Sequence, residues 1–208
     1  MRRFLIFVCS LVLMAGILVM PASAENTATK VESIVNVTAA GDCIVSTTVR
    51  LNLDSPVENL SFPVPLNATD VTLNGGSART AKTSTGLDVD ISRLTSGMAG
   101  EIPVMLNYNI PGAVKVILDE EGKLDQDFKN YLQLELPLLN SFELPVQSLT
   151  FILDMPDNIR YKPVFTSIYQ QTGIEASLSY EIDKDMITGH STNPLNDHEA
   201  ITMTMAVD

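Results

Sequence analysis

VSTTVRLNL, residues 45–53, sets the reading of this chain. Val45, Thr47, Val49, Leu51 and Leu53 alternate with Ser46, Thr48, Arg50 and Asn52. Successive side chains of a strand point to opposite faces, so this period of two predicts a strand with one face on a core and one in water. Its β-branched content suits a pleated, half-buried surface.

The same rhythm recurs on either side. Leu60, Phe62, Val64 and Leu66 alternate, with Pro63 and Pro65 on the opposite face. Proline cannot donate to a ladder, which assigns that segment to a sheet edge. Asn74-Gly75-Gly76 is a turn signal between residues 69–73 and a strand-like stretch after Ala78. Leu87, Val89 and Ile91 predict a short strand, and Ile102, Val104, Leu106, Tyr108 and Ile110 a longer one stopped by Pro111-Gly112. Leu132, Leu134 and Leu136 alternate up to Pro137, which reads as the end of that run. Leu149, Phe151, Leu153 and Met155 follow, then a turn at Pro156-Asp157-Asn158. Ile174, Ala176, Leu178, Tyr180 and Ile182 predict another strand, and Ile201, Met203, Met205 and Val207 the last.

About nine or ten short strands with turn signals between them predict an all-β fold, an antiparallel β-sandwich of immunoglobulin-like or related type. LDEEGKLDQDFKN, residues 118–130, interrupts the alternation with dense charge and reads as an exposed loop or a short helix. A sub-division near residues 112–130 would give two small sandwiches. One sandwich over 25–208 is favoured, because neither half carries a disulfide or much aromatic mass.

Residues 1–24, MRRFLIFVCSLVLMAGILVMPASA, run from Arg2 and Arg3 through an apolar stretch to Ala22-Ser23-Ala24. That order is a secretory signal peptide, with cleavage expected after Ala24. The rival is a retained membrane anchor, since the apolar run of about 17 residues reaches the lower limit for a bilayer span. Cys9 follows bulky Val8 and does not suit lipid attachment. Export to the extracellular space or the outer face of the cytoplasmic membrane is therefore expected.

Cleavage leaves 11 of the 13 basic residues against all 25 acidic ones, a formal charge of −14. Neutralising phosphates takes a basic patch, and this composition excludes nucleic acid as a partner. Acidity of this size keeps an exported domain soluble. Cys43 is the sole cysteine of the processed chain, so no intramolecular disulfide supports the fold. Stability has to come from a buried core.

Candidate chemistry is sparse. His190, Asp197, His198 and Glu199 lie together in HSTNPLNDHEA and offer imidazole and carboxylate ligands, but Pro194 and several turn formers break the regular spacing zinc sites favour. Asp119, Glu120, Glu121, Asp125 and Asp127 offer oxygen ligands to calcium without the pattern of a helix-loop-helix calcium loop. Both stretches read more simply as solvated loops. No serine stands in G-x-S-x-G, and Cys43, after Gly41-Asp42, has no evident histidine partner and reads as a small buried hydrophobe. Asn36, Asn59 and Asn67 head glycosylation sequons. The absence of tryptophan counts against a sugar-binding cleft. We assign no catalytic, cofactor-binding or metal-ligating residue and expect no cofactor.

Three stretches carry a family resemblance. GLDVDISRLTSGMAGEIPVMLNYNIPGAV places a strand, a glycine-containing turn and a strand ending in Tyr108-Asn109-Ile110 in order. YLQLELPLLNSFELPVQSLTFILDMP runs strand, short loop, strand and proline. MITGHSTNPLNDHEAITMTM sets Ile187, Gly189, Leu195, Glu199, Ile201 and Thr202 in a matching close. Together they resemble the extracytoplasmic N-terminal β-rich region of the bacterial predicted-membrane-protein family called domain of unknown function 2207. The tryptophans usual around the second stretch are replaced by nearby Phe142 and Leu144, and the family's chain runs on into later helices, whereas this sequence stops at Asp208. The resemblance implies a truncated or stand-alone relative of such a membrane protein, and it implies no activity.

Two functions follow as expectations. One is a non-catalytic exported β-sandwich that presents strand edges or loops to a protein or cell-envelope partner, with a membrane reached through the signal segment or a C-terminal region absent from this sequence. The alternative is a secreted hydrolase with an acidic cleft.

Overall fold

The computed structural model describes residues 25–84, 86–116, 132–156, 161–169 and 178–207, the stretch 161–169 by its backbone. The signal segment, the five acids of 119–127, and Ile174 and Ala176 lie outside the described residues.

The strands in chain order are β1 (Thr27–Val37), β2 (Cys43–Leu53), β3 (Ser61–Val64), β4 (Thr69–Leu73), β5 (Gly76–Ser77), β6 (Thr80–Lys82) and β7 (Leu87–Asp90). One helical turn, α1 (Ser92–Thr95), precedes β8 (Gly100–Ile110), β9 (Val114–Val116), β10 (Leu132–Leu139) and β11 (Leu149–Asp154). The chain closes with β12 (Tyr161–Tyr169), β13 (Leu178–Asp183), β14 (Met186–Ser191) and β15 (Ile201–Val207). The fold is all-β and sandwich-like, as the alternation predicts.

These strands form an eight-stranded sheet in the order β13-β14-β11-β1-β2-β8-β4-β5, a four-stranded sheet β12-β15-β10-β9, and a three-stranded sheet β3-β7-β6. Among the described strands pairing is antiparallel except between β1 and β11, which run parallel with Val31 opposite Leu149 and Asn36 opposite Asp154. A parallel pair needs a long crossover between its strands. Here β2 to β10 supply it, and β1, from the chain's beginning, becomes a central strand.

Each long strand buries alternate residues. On β2, Cys43, Val45, Thr47, Val49, Leu51 and Leu53 are buried; on β8, Ile102, Val104, Leu106, Tyr108 and Ile110 are. The inward residues of all three sheets join one continuous apolar cluster. Fully burying each such Val or Leu contributes about 1.5–3 kcal/mol, with no cross-link needed.

Pro137 does not end its strand; β10 continues to Leu139, with a break in register between Pro137 and Leu139 that absorbs the missing donor. The segment from Ser61 is at an edge as expected, but Pro63 and Pro65 are buried, so both faces are covered. The stretch holding His190 is not a loop, for Met186–Ser191 is strand β14. The Asn74-Gly75 turn forms as read, with φ of 48° and 79° at its two central residues, the left-handed pair a tight hairpin between β4 and β5 requires.

Candidate functional site

The eight-stranded sheet turns one face to the core and leaves the other open. On the open face Glu32 lies opposite Thr150, Thr150 opposite His190, and His190 opposite Ser179. The adjoining row is Ile34, Ile152, Thr188 and Glu181, and the next Asn36, Asp154, Met186 and Asp183. Period-two geometry produces these rows, since strands in register carry like-facing residues side by side.

Between β1, β11, β14 and β13 the face forms a shallow depression of about 510 Å³, lined by Lys30, Glu32, Ser148, Thr150, Glu181, Thr188 and His190 among others. Lys30 Nζ donates to Glu32 Oε2 at 2.9 Å, a pair open enough to water to contribute no more than about 1 kcal/mol. Thr150 Oγ1 is shut off from solvent and has no hydrogen-bond partner among the described residues. Asn36 Nδ2 donates to Asp154 Oδ2 at 3.2 Å, tying β1 to β11 beside the depression.

The same face exposes four large apolar side chains. Ile34 is 49% exposed, Ile44 53%, Met105 50% and Met186 43%. Ile44 lies opposite Asn36, and Met105 opposite Thr48 on the same row as Glu32.

The candidate ligands scatter. His190 stands exposed on β14, whereas His198 occupies a turn at φ 59° before β15, its N–H donating to Phe142 O. Ser141 Oγ lies 3.4 Å from His198 Nδ1. Glu199 is buried and its Oε2 accepts from Asn196 N–H at 2.8 Å, which closes the turn around Asp197. Among the described residues no three His, Cys, Asp or Glu side chains gather closely enough to hold a metal ion. The candidate calcium residues of 119–127 lie outside the described residues.

Two carboxylates, Glu32 and Glu181, line the depression. Glu32 and Glu181 stand on β1 and β13, three inter-strand spacings apart. At roughly 4.8 Å each that separates their backbones by about 14 Å. Among the described residues no hydrogen bond joins His190 to Ser179 or Thr150, its neighbours in register. Cys43 is buried at the start of β2, and burial, then the charge of Asp42, pushes its thiol up to about 12. It stays protonated and inert at neutral pH. The sequon asparagines Asn36, Asn59 and Asn67 are all exposed.

Sequence reasoning missed Thr150 and the apolar face. Thr150 reads as an ordinary polar residue of an alternating strand, and Ile34 and Ile44 sit among polar positions where the alternation assigns solvent.

No known family and no curated protein matches the sequence. Among solved structures the chain is similar to yeast LTA4 hydrolase in complex with bestatin, at 11% identity and a TM-score of 0.49, over 86% of this chain and 28% of that one. It is also similar to the M1 zinc metallopeptidase from Deinococcus radiodurans, at 11% identity and a TM-score of 0.40, over 88% of this chain and 42% of that one. The chain thus spans under half the length of either enzyme.

Proposed function

We propose that this chain is a non-catalytic, exported interaction module that docks a protein or cell-envelope partner on the open face of its eight-stranded sheet. The observation that carries this is the exposure of Ile34, Ile44, Met105 and Met186 on one sheet face. Leaving such side chains in water is unfavourable, and a partner that covers them recovers the hydrophobic term. The signal-peptide order of residues 1–24 supports export. The resemblance to the domain of unknown function 2207 family supports a role as the extracytoplasmic part, or a stand-alone relative, of a bacterial membrane protein.

The test is site-specific photo-cross-linking in the native envelope. A photoreactive residue at Ile44 captures one defined partner, and Ile34→Glu abolishes the capture without changing the fold. Capture unaffected by Ile34→Glu, or none at Ile44, refutes the reading. N-terminal sequencing of exported protein beginning at Glu25 checks the cleavage.

A further inference from the structure

The three sheets end in six edge strands among the described residues: β13 and β5, β12 and β9, β3 and β6. An edge presents unpaired N–H and C=O groups, a template for any added strand. Five of the six are blunted. β5 has two residues and β6 three, and β9 has three among the described residues. β3 has four and contains Pro63. β12 contains Pro163 and loses register with β15 between Tyr161 and Phe165.

β13 is different. It runs six residues without proline, and its register with β14 is unbroken from Leu178 opposite Ser191 to Asp183 opposite Met186. Its one safeguard is charge. Glu181 and Asp183 are exposed on the open face, with Asp154 in the same row beyond Met186. On the other side Ile182 is 40% exposed.

We propose that β13 is a docking edge for an extended cationic segment of a partner protein, which adds to the eight-stranded sheet as a further strand. This rests on the interaction-module reading and names the chemistry of the partner. Main-chain hydrogen bonds along β13 supply binding, and alternate side chains supply selection. Lysine or arginine on the incoming strand meets Glu181 and Asp183, and valine or isoleucine covers Ile182. A second copy of this chain fits badly, because it sets the acidic edge against itself in a protein whose formal charge is already −12. The same acids that repel a copy admit a cation.

The test uses the exported protein and a synthetic peptide of about ten residues, long enough to span such a strand, alternating lysine and valine. A glutamate–valine peptide is the charge control, and a lysine–proline peptide of equal charge is the ladder control. The lysine–valine peptide is expected to bind at least about tenfold more tightly than either control, and to slow hydrogen exchange at the amides of residues 178–183. The exposed pair Glu181→Lys with Asp183→Lys reverses the preference toward the glutamate–valine peptide. Equal binding of the lysine–proline peptide, protection elsewhere, or no binding overturns the proposal. Because the peptide assay uses the isolated protein, its failure removes the docking edge alone, while the open-face reading stands or falls on cross-linking at Ile44.

Discussion

Ser33 Oγ and Thr47 Oγ1 lie 3.0 Å apart inside the core, on directly opposed residues of β1 and β2. Both are almost fully buried. The Tyr108 hydroxyl on β8 also bonds Thr47, so three hydroxyls on neighbouring strands satisfy one another in a setting otherwise made of Val, Leu and Ile. A buried polar group is tolerated when it is paired and costly when it is not.

Thr47→Val removes the shared partner and strands the hydroxyls of Ser33 and Tyr108. We expect a loss of about 1–3 kcal/mol, read as a lower urea midpoint with unchanged slope. Adding Ser33→Ala and Tyr108→Phe recovers part of it, since a wholly apolar cluster leaves nothing unpaired. A triple variant less stable than Thr47→Val alone contradicts the account.

Alkaline pH acts through the same region. Burial pushes the Tyr108 hydroxyl up to about 12 from 10.0, with the Thr47 bond opposing and Cys43 adding to the rise. Cys43 rises to about 12 from 9.0. Between those ordinary values and about 12 the folded chain keeps protons that the unfolded chain releases. Stability is therefore fully present below pH 9 and falls as pH rises, by up to about 1.4 kcal/mol per pH unit for each group. Tyr108→Phe with Cys43→Ala should flatten the decline in urea midpoints between pH 8 and pH 11. An identical decline in the variant removes both residues as its cause.

Gly189 on β14 sits between Phe151 and Tyr180 in register. A Cβ there would meet Phe151 Cε1 at 2.7 Å and Ser179 O at 2.9 Å. The ring lies over the glycine backbone and leaves no room for a methyl group. Gly189→Ala is expected to cost about 1–3 kcal/mol by overpacking, and Phe151→Leu in the same chain to return part of it. Thermal unfolding of the three variants decides, and a neutral Gly189→Ala would falsify the close packing.

Thr150 carries a hydroxyl that is buried and has no hydrogen-bond partner among the described residues. Thr150→Val keeps the shape and removes the unsatisfied group, so stability should hold or rise by up to about 1 kcal/mol. A drop of that size in calorimetry means the hydroxyl has a partner in solution.

Strands whose apolar positions are unbroken are legible without any structure. Val45 to Leu53, Ile102 to Ile110 and Ile201 to Val207 alternate cleanly, and each is a strand that buries those residues. β1 is less legible, because Ser33 interrupts Val31, Val35 and Val37 on the inner face while Ile34 stands on the outer. Its serine is accommodated there by the hydroxyl of Thr47 on another strand, 3.0 Å away. β14 is hidden in the same way, where Gly189 and His190 break a pattern that pairing with β11 and β13 restores.

Period and turn chemistry are local, so the amino-acid order alone determined the all-β class, the Asn74-Gly75 turn and the faces of the long strands. Pairing across distance is not local. That β1 joins β11 in parallel, that Glu32, Thr150 and His190 share a row, and that Ile34 faces water beside Ile152 all follow from which strands lie adjacent. The same alternation admits many adjacencies, and burial of one shared core, summed over the whole chain, selects among them.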